Sequence, residues 1–339
     1  MCEDALERFD VLFKRLDESS LTEWADMCLR TLRLEGKSGE ECELEALWLH
    51  VIEEASELAE ALRYESVEGV KQNIIGVLAW FGAFLQCIKD HRFGRHTFEE
   101  ILEQRLIDIS TVIIKEMKEA GSSGSAELST GNLEKIRKQI KENYVDLIIL
   151  LKYPYCCPFC ECKEHCNCLG MSEDEYKKKK EELESVKTRA AIMKNSGAIE
   201  ISDGMPKFVL PGKGIRGWKD IFKRIYGRQI RSQTLEQVGF HLMEEIGEVA
   251  RALRKVKEAV RKAEEAKEVR EKEIYKEVAN LQDELADTFD WVMAMILKIE
   301  ALLGEEFIIS MLFLYHPTYG EDFLDLLPKS PEERQKQEV

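Results

Sequence analysis

The sequence predicts an all-α protein of two tandem helical repeats, and three observations carry that expectation. Only seven prolines and 20 glycines interrupt the 339 residues, and the long intervals between them place apolar residues at helical spacing rather than in alternation. Capping boxes, in which a Ser or Thr is followed three residues later by Glu or Gln, stand at Ser20/Glu23, Thr97/Glu100, Ser172/Glu175 and Thr234/Gln237 and mark helix starts. Finally, WLHVIEEASELAEALR at 48–63 returns as GFHLMEEIGEVARALR at 239–254. A repeat of this kind sets the architecture before any single element is assigned.

Taken in order, residues 1–120 form the first repeat. WADMCLRTL from Trp24 resembles WKDIFKRIY from Trp218, and NIIGVLAWFGAFL from Asn73 aligns with ELADTFDWVMAMI from Glu284, with Trp80 opposite Trp291. The offset is 191 on the shared acidic helix and 211 on the next one, so the second half carries 20 additional residues between them. These fall in the Lys/Glu-rich run Val256 to Asp283 and are expected to extend both helices into solvent. Small polar residues at 121–131 read as a flexible linker. A connector at 132–200 follows: a helix from Asn132 to Leu151, a cysteine module at 156–168, and a charged helix from Ser172 towards Gly197. The Gly/Pro-rich stretch Asp203 to Gly217 leads into the second repeat, 206–328, and a charged tail, 329–339, ends the chain.

Composition narrows the function classes. With 44% hydrophobic and 34% charged residues the chain is globular in character. A net charge of -16 argues against a nonspecific grip on nucleic acid, which needs many Lys and Arg on phosphates. No stretch reaches the roughly 18 uncharged apolar residues of a membrane span, and the first residues lack a basic segment followed by an apolar run, so the reading is cytoplasmic with no membrane partner.

The acidic helix of the second repeat has two faces. At about 100° per residue, Glu244, Glu245 and Glu248 share one arc, and Leu242, Ile246, Val249 and Leu253 form a stripe almost opposite. Glu284 and Asp287 lie one turn apart on the following helix, just before the apolar run WVMAMIL. Carboxylates on a largely buried helix are costly unless protonated, paired or metal-bound. If the two acid faces meet, five acidic groups converge. Oxygen-only ligands suit Mg2+ or Mn2+, and the competing reading is a salt-bridge network in which Arg251, Arg254 and Lys255 satisfy the acids.

EExxE on one helix and ExxD on the next, here EEIGE (Glu244 to Glu248) and ELAD (Glu284 to Asp287), resemble the signature of the MazG-like, dimeric dUTPase-like all-α nucleoside triphosphate pyrophosphohydrolases. The resemblance covers about Trp218 to Gly304 well and Trp24 to Leu85 more weakly, and leaves out the cysteine region. It implies a four-helix, bundle-like fold for each of the two tandem repeats, and Mg2+-dependent cleavage of a nucleoside triphosphate to monophosphate and pyrophosphate. Glu244, Glu245, Glu248, Glu284 and Asp287 would hold the metal, with Glu244 or Glu245 also activating water. Lys298, on the face of Glu284 and Asp287, and Arg254 and His241 on the acidic helix are candidate substrate contacts. The gap between the two motifs is longer than is usual in the family, and the family's basic segment after the fourth helix is not evident here.

The first half keeps Glu53, Glu54 and Glu57 but has Asn73 and Gly76 where Glu284 and Asp287 stand. Family members commonly work as dimers, so the chain reads as a fused pseudo-dimer, open to further homodimerisation, whose degenerate first half supports and lines the pocket of the second. The alternative is a non-catalytic nucleotide-sensing or protein-interaction module.

Residues 156–168, CCPFCECKEHCNC, place six Cys and His165 within 13 positions. Cys157 and Cys160 have the C-x-x-C spacing of a zinc-binding turn, and two of Cys162, His165, Cys166 and Cys168 would complete a structural Zn2+ site. An iron–sulfur cluster, a site shared between chains and a disulfide-closed loop stay open. Cys2, Cys28, Cys42 and Cys87 read as scattered ordinary thiols.

Overall fold

The computed structural model describes residues 19–34, 43–119, 130–166, 168, 171–202, 205–212, 214–266 and 271–304. Most of the 121–131 linker, residues 305–328 with any fourth helix of the second repeat, the 329–339 tail, Cys2 and Cys42 lie outside the described residues.

The fold is all-α. Helices α1 (Leu21–Leu34), α2 (Leu44–Arg63) and α3 (Val67–Ile88) lead through a small hairpin, β1 (Arg92–Phe93) and β2 (His96–Thr97), into α4 (Phe98–Glu119). The connector comprises α5 (Thr130–Glu142), α6 (Tyr144–Lys152), the cysteine loop, α7 (Glu173–Leu183), α8 (Val186–Ser196) and a second hairpin, β3 (Ile199–Ser202) and β4 (Met205–Phe208). Then come α9 (Gly214–Ser232), α10 (Leu235–Ala266) and α11 (Glu271–Leu303). Among the described residues no helix is long and apolar enough to cross a membrane. All four capping boxes form, each hydroxyl accepting from the backbone N–H three residues on while that Glu or Gln accepts in return.

The repeat is visible in side-chain geometry. The His50 ring stacks on Trp80 at 4.1 Å and 21°, and His241 stacks on Trp291 at 4.4 Å and 24°. Each imidazole Nδ1 meets the Glu three residues later, His50 with Glu53 at 2.7 Å and His241 with Glu244 at 3.1 Å. The halves meet along α2 and α10, which run antiparallel: Trp48 donates its indole N–H to Ile246 O at 3.3 Å, and Glu45 pairs with Lys257. Gly239 abuts Leu62 so closely that a Cβ there would collide. Trp48 and Gly239 are matched positions of the repeat, a large ring on one side and no side chain on the other.

The 20 additional residues do lengthen both helices: α10 has 32 residues against 20 in α2, and α11 has 33 against 22 in α3. They are not simply a projection into solvent. Val256, Ala259, Ile274 and Val278 are buried, and the first half packs on them, with His96 edge-on to Tyr275 and Arg105 of α4 bonded to Gln282 and Asp283.

Two connector expectations change. The helix expected over 132–151 is broken at Asn143, whose backbone (φ -134°, ψ 34°) leaves helical geometry while its amide donates to Gln139 O at 3.1 Å. The break is needed because α5 is charged and exposed whereas Tyr144 to Leu151 are all buried, and a helix apolar all round belongs in the core. The Gly/Pro-rich 203–217 boundary carries β4, paired with β3 so that Ile199 faces Phe208, both buried; α8 ends just before at Gly197, in the left-handed conformation that glycine adopts without cost.

The one charged side chain within the buried run of α6 is Asp146, 1% exposed. It accepts from the Trp218 indole at 2.9 Å and from Leu21 N at 2.9 Å, so a single carboxylate joins the connector to the opening helix of each repeat. Burial pushes its carboxyl up to about 6, against the downward pull of those donors.

Candidate active site and metal centre

Helices α10 and α11 pack side by side, which brings Glu245 and Glu248 to face Glu284, with one carboxylate oxygen of each within 4.8 Å of the others. Glu284 is 9% exposed. Burial pushes the Glu245 carboxyl up to about 8, reinforced by Asp287, Glu284 and Glu248; burial and then Asp287 push Glu284 up to about 7. Like charges are thus crowded in a partly desolvated space, where a divalent cation would be the natural counter-charge.

No family model, curated protein or solved structure matches this chain. The family resemblance accordingly rests on the motifs and on the geometry they produce.

Of the five expected ligands the structure groups three. Glu244 is exposed, turned to His241 at 3.1 Å. Asp287 accepts from the Tyr153 hydroxyl at 2.6 Å and pairs with Lys152 Nζ at 3.1 Å, both at the end of α6. Glu248 also pairs with Arg251, which realises part of the salt-bridge alternative. Beside them, Asp283 is clamped by Arg189 at 2.5 Å and Arg105 at 2.9 Å. Burial alone would raise the Asp283 carboxyl, but the two guanidiniums and Lys152 hold it well below the usual range, and so keep it ionised.

The expected substrate contacts lie elsewhere. Lys298, 8% exposed, directs its ammonium to the carbonyl of Arg231 at the end of α9, 3.4 Å away; it shares a helix face with Glu284 but sits about 20 Å further along the axis. Arg254 lines a different, shallow cleft with Lys255, Glu258 and Glu277. His241 is held by Trp291 and Glu244, the same arrangement as in the first half, which marks it as part of the repeat's packing.

Sequence reasoning missed Lys152, Tyr153 and Asp290. Asp290 continues the i, i+3 series from Glu284 and Asp287, a signal that was present. Burial, then Asp287, raises its carboxyl well above the usual range, against the downward pull of the nearby Tyr153 hydroxyl. Lys152 and Tyr153 carried no such signal, because only the docking of α6 brings them to α11.

In the first half, Gly76 stands where Asp287 stands in the second. A Cβ at Gly76 would collide with the Glu54 carboxylate, the counterpart of Glu245. Glu54 therefore occupies the space that a restored fourth acid would need.

The cysteine loop forms a second candidate centre. Sulfurs of Cys157, Cys160, Cys166 and Cys168 all lie within 4.8 Å of one another, with Cys157 to Cys168 at 3.4 Å and Cys160 to Cys166 at 3.6 Å. Thiolates arranged tetrahedrally about 2.3 Å from a zinc ion stand ~3.8 Å apart, so the set fits a metal such as zinc. Cys162 and His165, candidates by spacing, are outside it: His165 is exposed, with φ 52° and its N–H on Arg224 O, the strained turn that swings the chain back so that Cys166 reaches Ile225 O. Cys157 is held as the acidic thiol of the group, first by its hydrogen bond from Cys166, then against its burial. Cys87, expected to be an ordinary thiol, is disulfide-bonded.

Proposed function

We propose that this chain is a Mg2+-dependent nucleoside triphosphate pyrophosphohydrolase of the MazG-like type, with the site on α10 and α11. The observation that carries the reading is the convergence of Glu245, Glu248 and Glu284 from two helices, at the positions that the family signature assigns to the metal. Mg2+ or Mn2+ would be held by these three carboxylates, with Asp287 available once Lys152 gives way. When bound, such an ion neutralises phosphate oxygens and lowers the pKa of water.

The protein's own groups then divide the work. Glu245 is the better general base of the two considered, since Glu244 faces away; it takes the proton as water oxygen bonds to the α-phosphorus, the α–β bridging P–O bond breaks, and pyrophosphate departs. Lys152, displaced from Asp287, is placed to compensate charge on the leaving group. The two halves act as a fused pseudo-dimer in which the first supports the second, a reading supported by the repeated His–Trp stacks and by Arg105 of α4 on Asp283.

The test is pyrophosphate release from the common ribo- and deoxyribonucleoside triphosphates with Mg2+ or Mn2+, beside Glu245→Gln. Metal-dependent turnover lowered at least 100-fold in the variant is the expected result; no turnover with any nucleotide would sink the enzyme. One observation favours the sensing alternative: Lys152 and Tyr153 already satisfy Asp287. Nucleotide binding without turnover would select it.

A pH dependence follows from the raised acids. Glu245 and Glu284, with carboxyls near 8 and 7, hold protons at pH 6 that a cation must displace. Apparent Mg2+ affinity should therefore rise with pH, by up to about tenfold per unit for each proton released, and level off above pH 8. Calorimetry in two buffers of different ionisation enthalpy counts the protons; a flat profile between pH 6 and 8 would contradict the site.

A further inference from the structure

A cavity of about 460 Å³ lies between the cysteine loop, α6 to α8, α4 and α11, within the size range of small-molecule sites. Its lining includes Glu284, a member of the carboxylate group, and Lys152. Apolar side chains line it as well: Pro158 and Phe159 from the cysteine loop, and Ile192 and Met193 from α8. The Phe159 ring lies against Tyr176 in a tilted contact at 4.5 Å. The cavity thus joins a carboxylate of the candidate metal group to apolar and aromatic surface.

Its cations are not equivalent. Arg105 and Arg189 are taken up by Asp283, and Lys152 by Asp287. Lys180 lines the same cavity as Glu284, is exposed and makes no ion pair among the described residues. On the α11 wall, Asn280 makes no side-chain hydrogen bond among the described residues, and its amide can both donate and accept.

We propose that this cavity is the nucleoside subsite: the base packs against the apolar lining that includes Phe159 and Met193, its polar edge is read by Asn280, and the triphosphate reaches the carboxylates of α10 and α11 at Glu284. This rests on the pyrophosphohydrolase reading and adds to it that base selection is made by the connector. Phe159, Met193 and Lys180 have no counterpart in either repeat. A planar base packed against an aromatic ring and a thioether gains by stacking and by sulfur–ring contact, each sequence-tolerant, so discrimination falls to the one amide. Lys152 and Lys180 stand in for the basic segment that is not evident after the fourth helix of the second repeat.

The experiment uses the full chain and measures Mg2+-dependent binding and turnover of ATP, GTP, CTP and UTP and their deoxy forms, with inorganic tripolyphosphate as the probe that has no nucleoside. Val186→Trp, at the 38%-exposed rim, and Ala279→Leu, on the α11 wall, both reduce the cavity. Each should weaken binding of the preferred nucleotide at least about tenfold, the size of one lost stacking contact, and shift tripolyphosphate less than twofold. Asn280→Ala should flatten the preference among bases about fivefold. Cavity-filling variants that hydrolyse every nucleotide like the wild type would overturn the subsite and leave the enzyme standing. Nucleotide binding without turnover, lost in Val186→Trp, would support the subsite and remove the enzyme; no nucleotide binding at all would remove both.

Discussion

Glu284→Gln should make the protein more stable without divalent cation at pH 8, and deprive it of Mg2+ binding. The two effects have one cause. The Glu284 carboxyl, 9% exposed and raised to about 7 by burial and by Asp287, has a folded-state pKa above its unfolded value. Such an acid is tolerated below pH 4.5; its cost grows from about pH 4.5 to 7, where the unfolded chain ionises and the folded one keeps its proton, and is complete above 7, where folding buries a carboxylate that prefers water. A neutral amide of the same shape removes up to about 3 kcal/mol of that cost, less whatever its N–H groups lose by incomplete hydrogen bonding. Adding Mg2+ should reverse the order, since only the wild type gains the stabilisation that ligand binding confers on the folded state. Urea melts at pH 5 and pH 8, with and without 5–10 mM MgCl2 (a range of about that order is ample for a site of this kind), give four comparisons. A Glu284→Gln protein that is less stable than wild type at pH 8 without metal would mean that the acids are already satisfied by Arg251 and Lys152, and that no cation is wanted.

That contrast also shows where sequence reading reached and where it stopped. The acidic pair of helices was legible because each ligand set lies within one element: Glu245 and Glu248 are neighbours on a helix face, and Glu284 is fixed by its own helix. The His–Trp stack was legible in the same way once the repeats were aligned, since His50 and Trp80 recur as His241 and Trp291. What could not be read was any contact made by α6. Its sequence, YVDLIILLK, advertises burial but not its neighbour, and so hid both the clasp of Lys152 and Tyr153 on Asp287 and the bridge from Asp146 to Trp218 and Leu21. Spacing likewise offered six ligands to the cysteine centre, and backbone geometry removed two. The left-handed residues Glu161 and His165 decide which thiols turn inwards, and neither is a glycine that would have marked the turn.

The cysteine centre and the carboxylates are physically continuous. Tyr153 donates to Asp287; Tyr226 of α9 lies within electrostatic reach of both Asp290 and Cys157; Tyr153 meets Tyr226 edge-on at 6.3 Å. A metal at the four thiolates would therefore set the position of the end of α6, from which Lys152 and Tyr153 reach the acids. The connector is then more than a spacer between repeats, because it supplies the groups that stand opposite the carboxylates.

Loss of the cysteine centre is expected to have the other large effect. The purified chain should carry one equivalent of tightly bound metal, zinc by ligand chemistry, and Cys160→Ser with Cys166→Ser should lose it, whereas Cys162→Ser and His165→Ala should keep it. Closed four-thiolate sites contribute on the order of 10 kcal/mol to the folding of the segment they hold; the loop's other ties are the N–H groups of His165 and Cys166 on Arg224 and Ile225, the Arg224 side chain on Lys163 O, the Tyr155 hydroxyl on Val209 O and the Phe159 ring against Tyr176. Without metal the loop should detach locally while Asp146 and the apolar core keep both repeats folded. Hydrogen exchange would then rise over 153–168 and stay protected in α3 and α11. With Tyr153 no longer held, Asp287 keeps only Lys152 as a partner, and metal-dependent turnover at the carboxylates should fall at least about tenfold, in proportion to how far their positioning depends on α6. Metal analysis of the four variants separates the ligand sets directly. A wild-type chain that holds no metal, with its thiols paired as disulfides, would return this loop to a covalent staple and detach it from the chemistry of the acids.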